Sequence, residues 1–262
     1  MASVIVITSG KGGVGKTTAT ANLGAALAMR NKQVLLIDGD IGLRNLDIAM
    51  GMEGGIVYDL VDAVREECDF HKAILRHSSI DGLYLMPTSQ TRDKAAVTKT
   101  QMKTLLQKLR PEFDFILIDC PAGIEQGFEN AIAGADSAVI VTIPDLSCMR
   151  DADRVIALLE KQELTELKLI INRLRPGLIK KKLMPDVEDV LEYLSVDLLG
   201  AVPEDEKIII AANSTTLVAA DPQSQAGLAY RNMAARLCGE TVELIKFKEK
   251  KNIFKWLNFG GV

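Results

Sequence analysis

The chain has 262 residues, of which 48% are hydrophobic and 25% charged, and its formal net charge is −4. This length allows one large α/β domain with a sizeable core, and the acidic balance argues against a surface built as a whole to bind nucleic acid. The four cysteines include no Cys-x-x-Cys pair, so we expect reduced thiols and neither a zinc site nor a disulfide framework.

The N-terminal segment shows no signal peptide, because the chain enters an apolar segment almost at once. No apolar run approaches the roughly 20 residues that a membrane-spanning helix needs. We therefore expect a cytosolic chain that is at most attached to a membrane surface.

A glycine-rich loop stands between a predicted strand and a predicted helix. Residues 3–8 are apolar and β-branched, which predicts a buried strand, and residues 16–30 are rich in Ala and Leu, which predicts a helix. The loop fits Gly-x-x-x-x-Gly-Lys-Thr, so its amides and the helix N-terminus should hold phosphate, with Lys16 reaching the β- and γ-phosphates and Thr17 binding Mg²⁺. The predicted nucleotide-binding residues of this loop are Gly10, Lys11, Gly12, Gly13, Val14, Gly15, Lys16, Thr17 and Thr18.

Carboxylates follow the second predicted strand, residues 33–38. Because ligands of open α/β sheets bind beyond the carboxyl ends of strands, Asp38 and Asp40 should face the nucleotide. We predict that Asp40 orients the attacking water and is a possible Mg²⁺ ligand, with Asp38 as a second catalytic carboxylate; a turn or helix cap is the alternative role for both. Asn45, in a loop and short helix over residues 41–51, is a further predicted catalytic residue.

An apolar strand ending in a carboxylate recurs at residues 114–119, which is a Walker B pattern. Asp119 should therefore lie beside Thr17 and act on Mg²⁺ through a water. Gly123 follows on a loop that we expect to be mobile, where its N–H would face the γ-phosphate. Between the two carboxylate strands, the sequence predicts two short helices over 56–76, a strand over 82–86 and a helix over 98–109.

The second half of the chain continues the alternation. The predicted elements are strands over 136–143, 167–172 and 196–202, and helices from a cap at Asp145 or Ser147 to residue 161, over 205–212 and over 223–245. Alternating strands and helices predict a doubly wound, mostly parallel sheet with helices on both faces. We assign residues 1–245 to one domain and residues 246–262 to a tail.

The tail has the pattern of an amphipathic helix. Its apolar side chains cover about half of a helical wheel and its lysines lie opposite or between them, which is typical of a helix at the surface of an anionic membrane. A terminal helix packed on the domain is the alternative. The predicted membrane-binding residues are Phe247, Ile253, Phe254, Trp256, Leu257, Lys250, Lys251 and Lys255.

The loop, with a lysine at its second position, resembles the deviant Walker A motif of the MinD/ParA family of ATPases. Residues 38–47, 90–93, 119–125 and 149–154 resemble the septum-site-determining (MinD) branch of that family. The resemblance implies a P-loop fold, hydrolysis of ATP to ADP with Mg²⁺, and a homodimer with ATP that returns to monomers with ADP. In the dimer, Lys11 would cross to the partner's phosphates and take part in catalysis.

The same resemblance implies further residues and partners. Adenine would be recognised by Asn172, Arg173, Pro203 and Asp205, although Asn172 at a strand end can also be a turn residue. The partners would be a division inhibitor such as MinC and a MinE- or DivIVA-type regulator. Arg150, Asp151 and Asp153 would contact MinC and MinE. The chain would act at the cytoplasmic face of a bacterial cell membrane, where anionic lipid holds it and it positions the septum; no specific nucleic acid is expected.

Three other functions remain open from the sequence. A ParA-type DNA-partitioning ATPase would use the same loop but needs a basic DNA-binding surface and no lipid-binding tail. An iron–sulfur protein related to the nitrogenase iron protein would need cysteines at a dimer seam, and only Cys120 is near such a place. A nucleotide-binding scaffold without activity would release no phosphate.

Overall fold

A computed structural model of the chain describes residues 1–92, 96–121, 123–124 and 126–245. The strands are β1 (Ser3–Thr8), β2 (Val34–Asp38), β3 (Leu75–Arg76), β4 (Leu83–Met86), β5 (Phe115–Asp119), β6 (Ser137–Thr142), β7 (Leu167–Leu174) and β8 (Leu198–Pro203). The helices are α1 (Lys16–Ala28), α2 (Leu46–Met50), α3 (Leu60–Val64), α4 (Lys99–Leu109), α5 (Gln126–Ala131), α6 (Leu146–Lys161), α7 (Pro176–Lys180), α8 (Val187–Leu194), α9 (Glu206–Asn213) and α10 (Gln225–Leu237). Short 3₁₀ helices occur at Phe70–Ala73 and Val218–Ala220.

The strands form one sheet in the order β3-β4-β2-β5-β1-β6-β7-β8. All neighbouring pairs are parallel except β3 with β4. The first strand of the chain lies in the middle, between β5 and β6, so the loop after β1 emerges beside the end of β5. The predicted doubly wound, mostly parallel sheet is confirmed.

Both faces of the sheet are covered, which explains why its strands are apolar along their whole length. Val4 and Val6 of β1 belong to the core on the face of α4, α6 and α8, whereas Ile5 and Ile7 belong to the core on the face of α1 and α10. Alternate residues of a strand point to opposite faces, so each face needs its own apolar set. The sheet is thereby held rigid, and its carboxyl edge is a fixed platform for loops.

Three helices and one strand have no counterpart among the predicted elements: α5, α7, α8 and β3. The strand β3 has two residues and pairs antiparallel at the edge of the sheet, which is too short for a readable alternation. Helix α8 did carry a signal, because Asp186 and Asp189 form a reciprocal capping box at its start.

The predicted helix over 223–245 is wrong in its second half, because α10 ends at Leu237. Gly239 has a φ of +86°, a left-handed conformation that stops a helix and that glycine adopts without steric cost. Beyond it, the Arg236 guanidinium donates to the carbonyls of Val242 and Glu243 and to that of Leu199 in β8. The chain after α10 is therefore held against the start of the edge strand.

Residues 246–262 lie outside the described residues, and with them the predicted tail and all eight of its membrane-binding residues. The boundary at residue 245 stays a prediction. Among the helices of the described part, none combines the length and the apolar character required to span a bilayer.

Candidate nucleotide-binding site

The glycine loop joins β1 to α1 at the carboxyl edge of the sheet and is closely packed on both sides. A Cβ atom on Gly10 would lie 2.2 Å from the carbonyl group of Asp151 in α6, and one on Gly15 would lie 2.3 Å from Nδ2 of Asn172. Gly15 also has a φ of +97° at the N-cap of α1. Glycine is required at both positions, and the loop wraps a helix N-terminus whose first amides have no partner within the helix.

Asp119, at the end of β5, gathers side chains from the first turns of α1. Its Oδ1 atom lies 2.8 Å from Nζ of Lys16 and accepts a hydrogen bond from Thr20 Oγ1 at 3.1 Å. Its Oδ2 atom accepts from Thr17 Oγ1 at 2.7 Å. The predicted proximity of Thr17 and Asp119 is therefore present, and the helix and the strand are locked together beneath the loop.

The Lys16 ammonium is buried, at 8% exposure. Burial alone would lower the pKa of Lys16, but the charge of Asp119 and its hydrogen bond outweigh that effect and raise it. A lysine that is permanently charged and held under a cradle of amides is suited to attract phosphate oxygens.

The oxygen atoms of Thr17 and Asp119 form the donor set that suits Mg²⁺, which prefers hard oxygen ligands. Among the described residues, no group of three or more His, Cys, Asp and Glu side chains is placed to hold a metal ion. A Mg²⁺ ion here would therefore take most of its ligands from phosphate and water, which is its usual behaviour in nucleotide sites.

Asp38 is buried at the end of β2, next to β5. Its carboxylate accepts hydrogen bonds from the backbone amides of Asp40 at 3.0 Å and Leu46 at 3.2 Å. Burial, and then the neighbouring charges of Asp119 and Asp40, raise the pKa of Asp38 to about 7, against the opposing effect of the two amides. Asp38 thus anchors the loop that carries Asp40 and the start of α2.

The other residues of the two loops lie around this centre. Asp40 is half-buried at the carboxyl edge, whereas Asn45 is exposed at the N-cap of α2 and makes no capping hydrogen bond. The amide of Gly123 donates to the carbonyl of Ser9 at 3.2 Å, so this predicted phosphate donor lies against the glycine loop. The roles assigned to these three residues stay predictions.

Lys11 is exposed, and its Nζ atom donates to Oγ of Ser147 at 3.2 Å. Ser147 in turn donates to Asp145, the N-cap of α6, at 2.6 Å. Within this chain, Lys11 therefore points across the loop to α6. Sequence reasoning placed Lys11 correctly on the loop but did not predict its contact with α6.

Comparison with known proteins agrees with this geometry. A family model described as the CobQ/CobB/MinD/ParA nucleotide binding domain matches residues 5–218. The septum site-determining protein MinD of Bacillus subtilis is 52% identical over 266 residues, which cover all of this chain and 99% of that protein. MinD of Synechocystis is 49% identical over 96% of this chain and 95% of that protein.

The chain belongs to the MinD branch of the MinD/ParA family. Among solved structures, a MinC:MinD complex of Aquifex aeolicus superposes with a TM-score of 0.89 at 40% identity, over 94% of this chain and all of that one. MinD of Pyrococcus horikoshii, solved with Mg-ADP, gives a TM-score of 0.81 at 29% identity, over 90% of this chain and 96% of that one. The resemblance inferred from the glycine loop is confirmed.

In this MinD-family chain, two of the four predicted adenine-binding residues, Asn172 and Asp205, have side chains engaged by other contacts. Asn172 is buried and donates to the carbonyl of Val14 at 2.8 Å, so it braces the glycine loop. Arg173 is exposed and has a φ of +55°, and Pro203 is buried at the end of β8.

The Asp205 carboxylate caps α9 through the amide of Lys207 and accepts a hydrogen bond from Ser224 Oγ at 2.8 Å. Asp205 thus joins the starts of α9 and α10, and adenine recognition by this set stays a prediction.

The predicted partner-binding residues lie on α6. Arg150 and Asp153 are exposed, whereas Asp151 is half-buried and lies 3.4 Å from Arg154. Because Gly10 packs against the backbone of Asp151, this helix is in direct contact with the glycine loop.

Thr20 is a site residue that sequence reasoning missed. It lies one helical turn after Lys16, so the i, i+4 spacing placed both on the same side of α1, and that spacing could have revealed it.

A cavity of about 720 Å³ near Val64, Phe70 and Leu105 is lined by none of the predicted nucleotide-binding residues.

Proposed function

We propose that this MinD-family chain is a Mg²⁺-dependent ATPase whose ATP-bound dimer attaches to the membrane and positions the division septum by recruiting an inhibitor. The observation that best supports this is the cluster of Lys16, Thr17 and Asp119 beneath a loop that also presents an exposed Lys11. The cluster supplies the parts of a hydrolytic phosphate site, and Lys11 is a cation that this cluster does not use.

The catalysis rests on positioning and charge, as in other phosphoryl transfers. The loop amides and Lys16 would hold the phosphate oxygens, Thr17 would hold Mg²⁺ directly, and Asp119 would hold it through a water. Bound Mg²⁺ would neutralise charge that develops on the phosphates. Asp40 orients the attacking water, and Asp38 and Asn45 support the loop that carries it.

Lys11 supports the dimeric part of the proposal. Its hydrogen bond to Ser147 is exposed and joins a charged donor to a neutral hydroxyl, so it is easily exchanged for a stronger contact with phosphate. In the dimer, Lys11 of each subunit reaches the nucleotide of the other, and the Gly123 amide exchanges its bond to the Ser9 carbonyl for one to the γ-phosphate. Loss of that phosphate removes both contacts and returns the chain to monomers.

The output of the cycle is membrane attachment through residues 246–262. One copy of this segment binds weakly, but two copies on a dimer bind far more tightly through their effective concentration. A MinC-type inhibitor and a MinE- or DivIVA-type regulator would contact α6 through Arg150, Asp151 and Asp153. The MinC:MinD complex among the structural neighbours supports the first of these partners.

The proposal is tested by sedimenting the full chain with vesicles that contain phosphatidylglycerol, in the presence of ATP or ADP. We expect binding with ATP, little with ADP, and none after deletion of residues 247–262. Trp256 is the only tryptophan of the chain, so a blue shift of its emission reports the tail directly. Equal binding with the two nucleotides would refute the switch, and a failure to release phosphate from ATP would refute the enzyme.

A further inference from the structure

The segment after β7 concentrates positive charge outside the nucleotide site. Residues 173–183 read Arg-Leu-Arg-Pro-Gly-Leu-Ile-Lys-Lys-Lys-Leu, with five basic residues and no acidic one, in a chain whose net charge is −4. Arg175 pairs with Glu204 at 2.6 Å. Lys181 and Lys182 are exposed, and neither forms an ion pair within the part of the chain that the structure describes.

The backbone presents these side chains outward. Helix α7 closes with two hydrogen bonds, from Leu183 N to Leu178 O at 3.0 Å and from Lys182 N to Ile179 O at 2.8 Å. This pattern reverses the chain and leaves Leu183 71% exposed. Two cations and a large apolar side chain are thus displayed together in a turn, here called the basic turn (Lys181, Lys182 and Leu183).

Lys182 occupies a backbone position that favours glycine. Its φ is +56°, in the left-handed region, where a Cβ atom is disfavoured and where helices usually place glycine. Strain of this kind, at an exposed residue that supports no core contact, points to a use for the side chain rather than for the fold.

The basic turn lies at the same edge of the sheet as the last described residues of the chain, 242–245. The end of β7 pairs with the end of β8 at Leu174 and Pro203, and α7 follows there. The segment before residue 246 is held at the other end of β8 by Arg236. The six residues of β8 span roughly 20 Å, so one flat surface along this edge can touch both places.

We propose that the basic turn is a second contact with anionic phospholipid, which acts together with the tail. The inference rests on the proposed function, because it adds a contact to the membrane-bound state. Lysines attract the phosphate groups of the lipid surface, and Leu183 enters the interface between headgroups and acyl chains. The exposed leucine favours a bilayer over nucleic acid, which offers the lysines phosphates but gives a protruding aliphatic side chain nothing to enter.

The test compares full chains with ATP on vesicles of rising phosphatidylglycerol content. We expect the variant Lys181→Gln/Lys182→Gln to bind about 30-fold more weakly, since each lysine near an anionic surface contributes a factor of about five. The loss should fade at high salt, where charges are screened. Lys72→Gln/Lys103→Gln is the matched control, because it removes the same charge from exposed positions on the Phe70–Ala73 turn and α4.

Two further variants show whether weaker vesicle binding comes from a lost lipid contact or from a loss of stability. Lys182→Gly should be at least as heat-stable as the wild type, because glycine relieves the positive φ, yet it should bind vesicles several-fold more weakly. Leu183→Ser should also weaken binding, and its loss should persist in high salt.

The outcomes distinguish this inference from the proposed function. If Lys181→Gln/Lys182→Gln binds vesicles as tightly as the wild type, and deletion of residues 247–262 still abolishes binding, the basic turn is not a lipid contact. The membrane switch then still stands. Absence of vesicle binding by the wild type overturns both. If the lysine variant loses affinity for duplex DNA but not for vesicles, the turn binds nucleic acid and the lipid proposal is wrong.

Discussion

Asp119 is the residue on which the site depends most, since its carboxylate accepts hydrogen bonds from Lys16, Thr17 and Thr20. We predict that Lys16→Met destabilises the nucleotide-free chain by about 3–5 kcal/mol, because it leaves a buried carboxylate without its cation. The double variant Lys16→Met/Asp119→Asn should regain most of the lost stability. Neither the single nor the double variant should bind ATP. Urea unfolding without nucleotide measures both effects, and a single variant as stable as the wild type would show that the pair has no structural role.

Asp38 makes stability depend on pH. Its ordinary pKa of 3.8 is raised to about 7 in the folded chain, so between about pH 4 and pH 7 the folded state holds a proton that the unfolded state has lost. The free energy of unfolding should therefore fall as pH rises through this window, by an amount on the order of 4 kcal/mol at most. Asp38→Asn cannot ionise and should flatten the profile. Asp81→Asn, at an exposed carboxylate, should keep the wild-type profile in urea unfolding at pH 4 to 8.

At the level of elements, α4 shows how local sequence fixes a boundary. The amide of Gln101 donates to Thr98 Oγ1, and the amide of Thr98 donates to Gln101 Oε1. We predict that Thr98→Ala costs about 1 kcal/mol, because the Gln101 amide loses its acceptor at the start of the helix. Thr104→Ala in the same helix is the control, with a change within about 0.5 kcal/mol, since its hydroxyl only returns to Thr100 O. Thermal unfolding of the two variants decides; equal losses would contradict the capping role.

Much of the fold was predictable because its signals are local. Strands buried on both faces are continuous apolar runs, and the glycine loop and the carboxylates at Asp38 and Asp119 follow directly from them. What could not be predicted depends on distant contacts. The bracing of Val14 by Asn172 joins residues 158 positions apart, and no pattern along the chain encodes it. Asp205 was assigned to adenine from resemblance, whereas its carboxylate is engaged by the starts of α9 and α10.

For the whole molecule, the central prediction concerns assembly. Lys11→Ala should bind ATP but stay monomeric in light scattering, since its ammonium has no function within the phosphate cluster. Because two tails bind much better than one, it should need at least tenfold more vesicles to shift the Trp256 emission. Lys161→Ala, at the exposed end of α6, should behave as the wild type. A normal ATP-dependent dimer of Lys11→Ala would contradict the role of this lysine.

The position of β1 in the middle of the sheet has a consequence for folding kinetics. The amide of Val4 bonds to Asp136, 132 positions later, whereas β7 and β8 are close in sequence as well as in space. Pairings over such long loops form slowly, so the edge with β7 and β8 should be ordered before the centre. Lys16 and Asp119 lie at this centre of the sheet, so their ion pair should form late in folding. Mg-ATP should therefore slow unfolding while leaving the rate of folding unchanged, and the chain becomes able to sense ATP only after its rate-limiting step is complete.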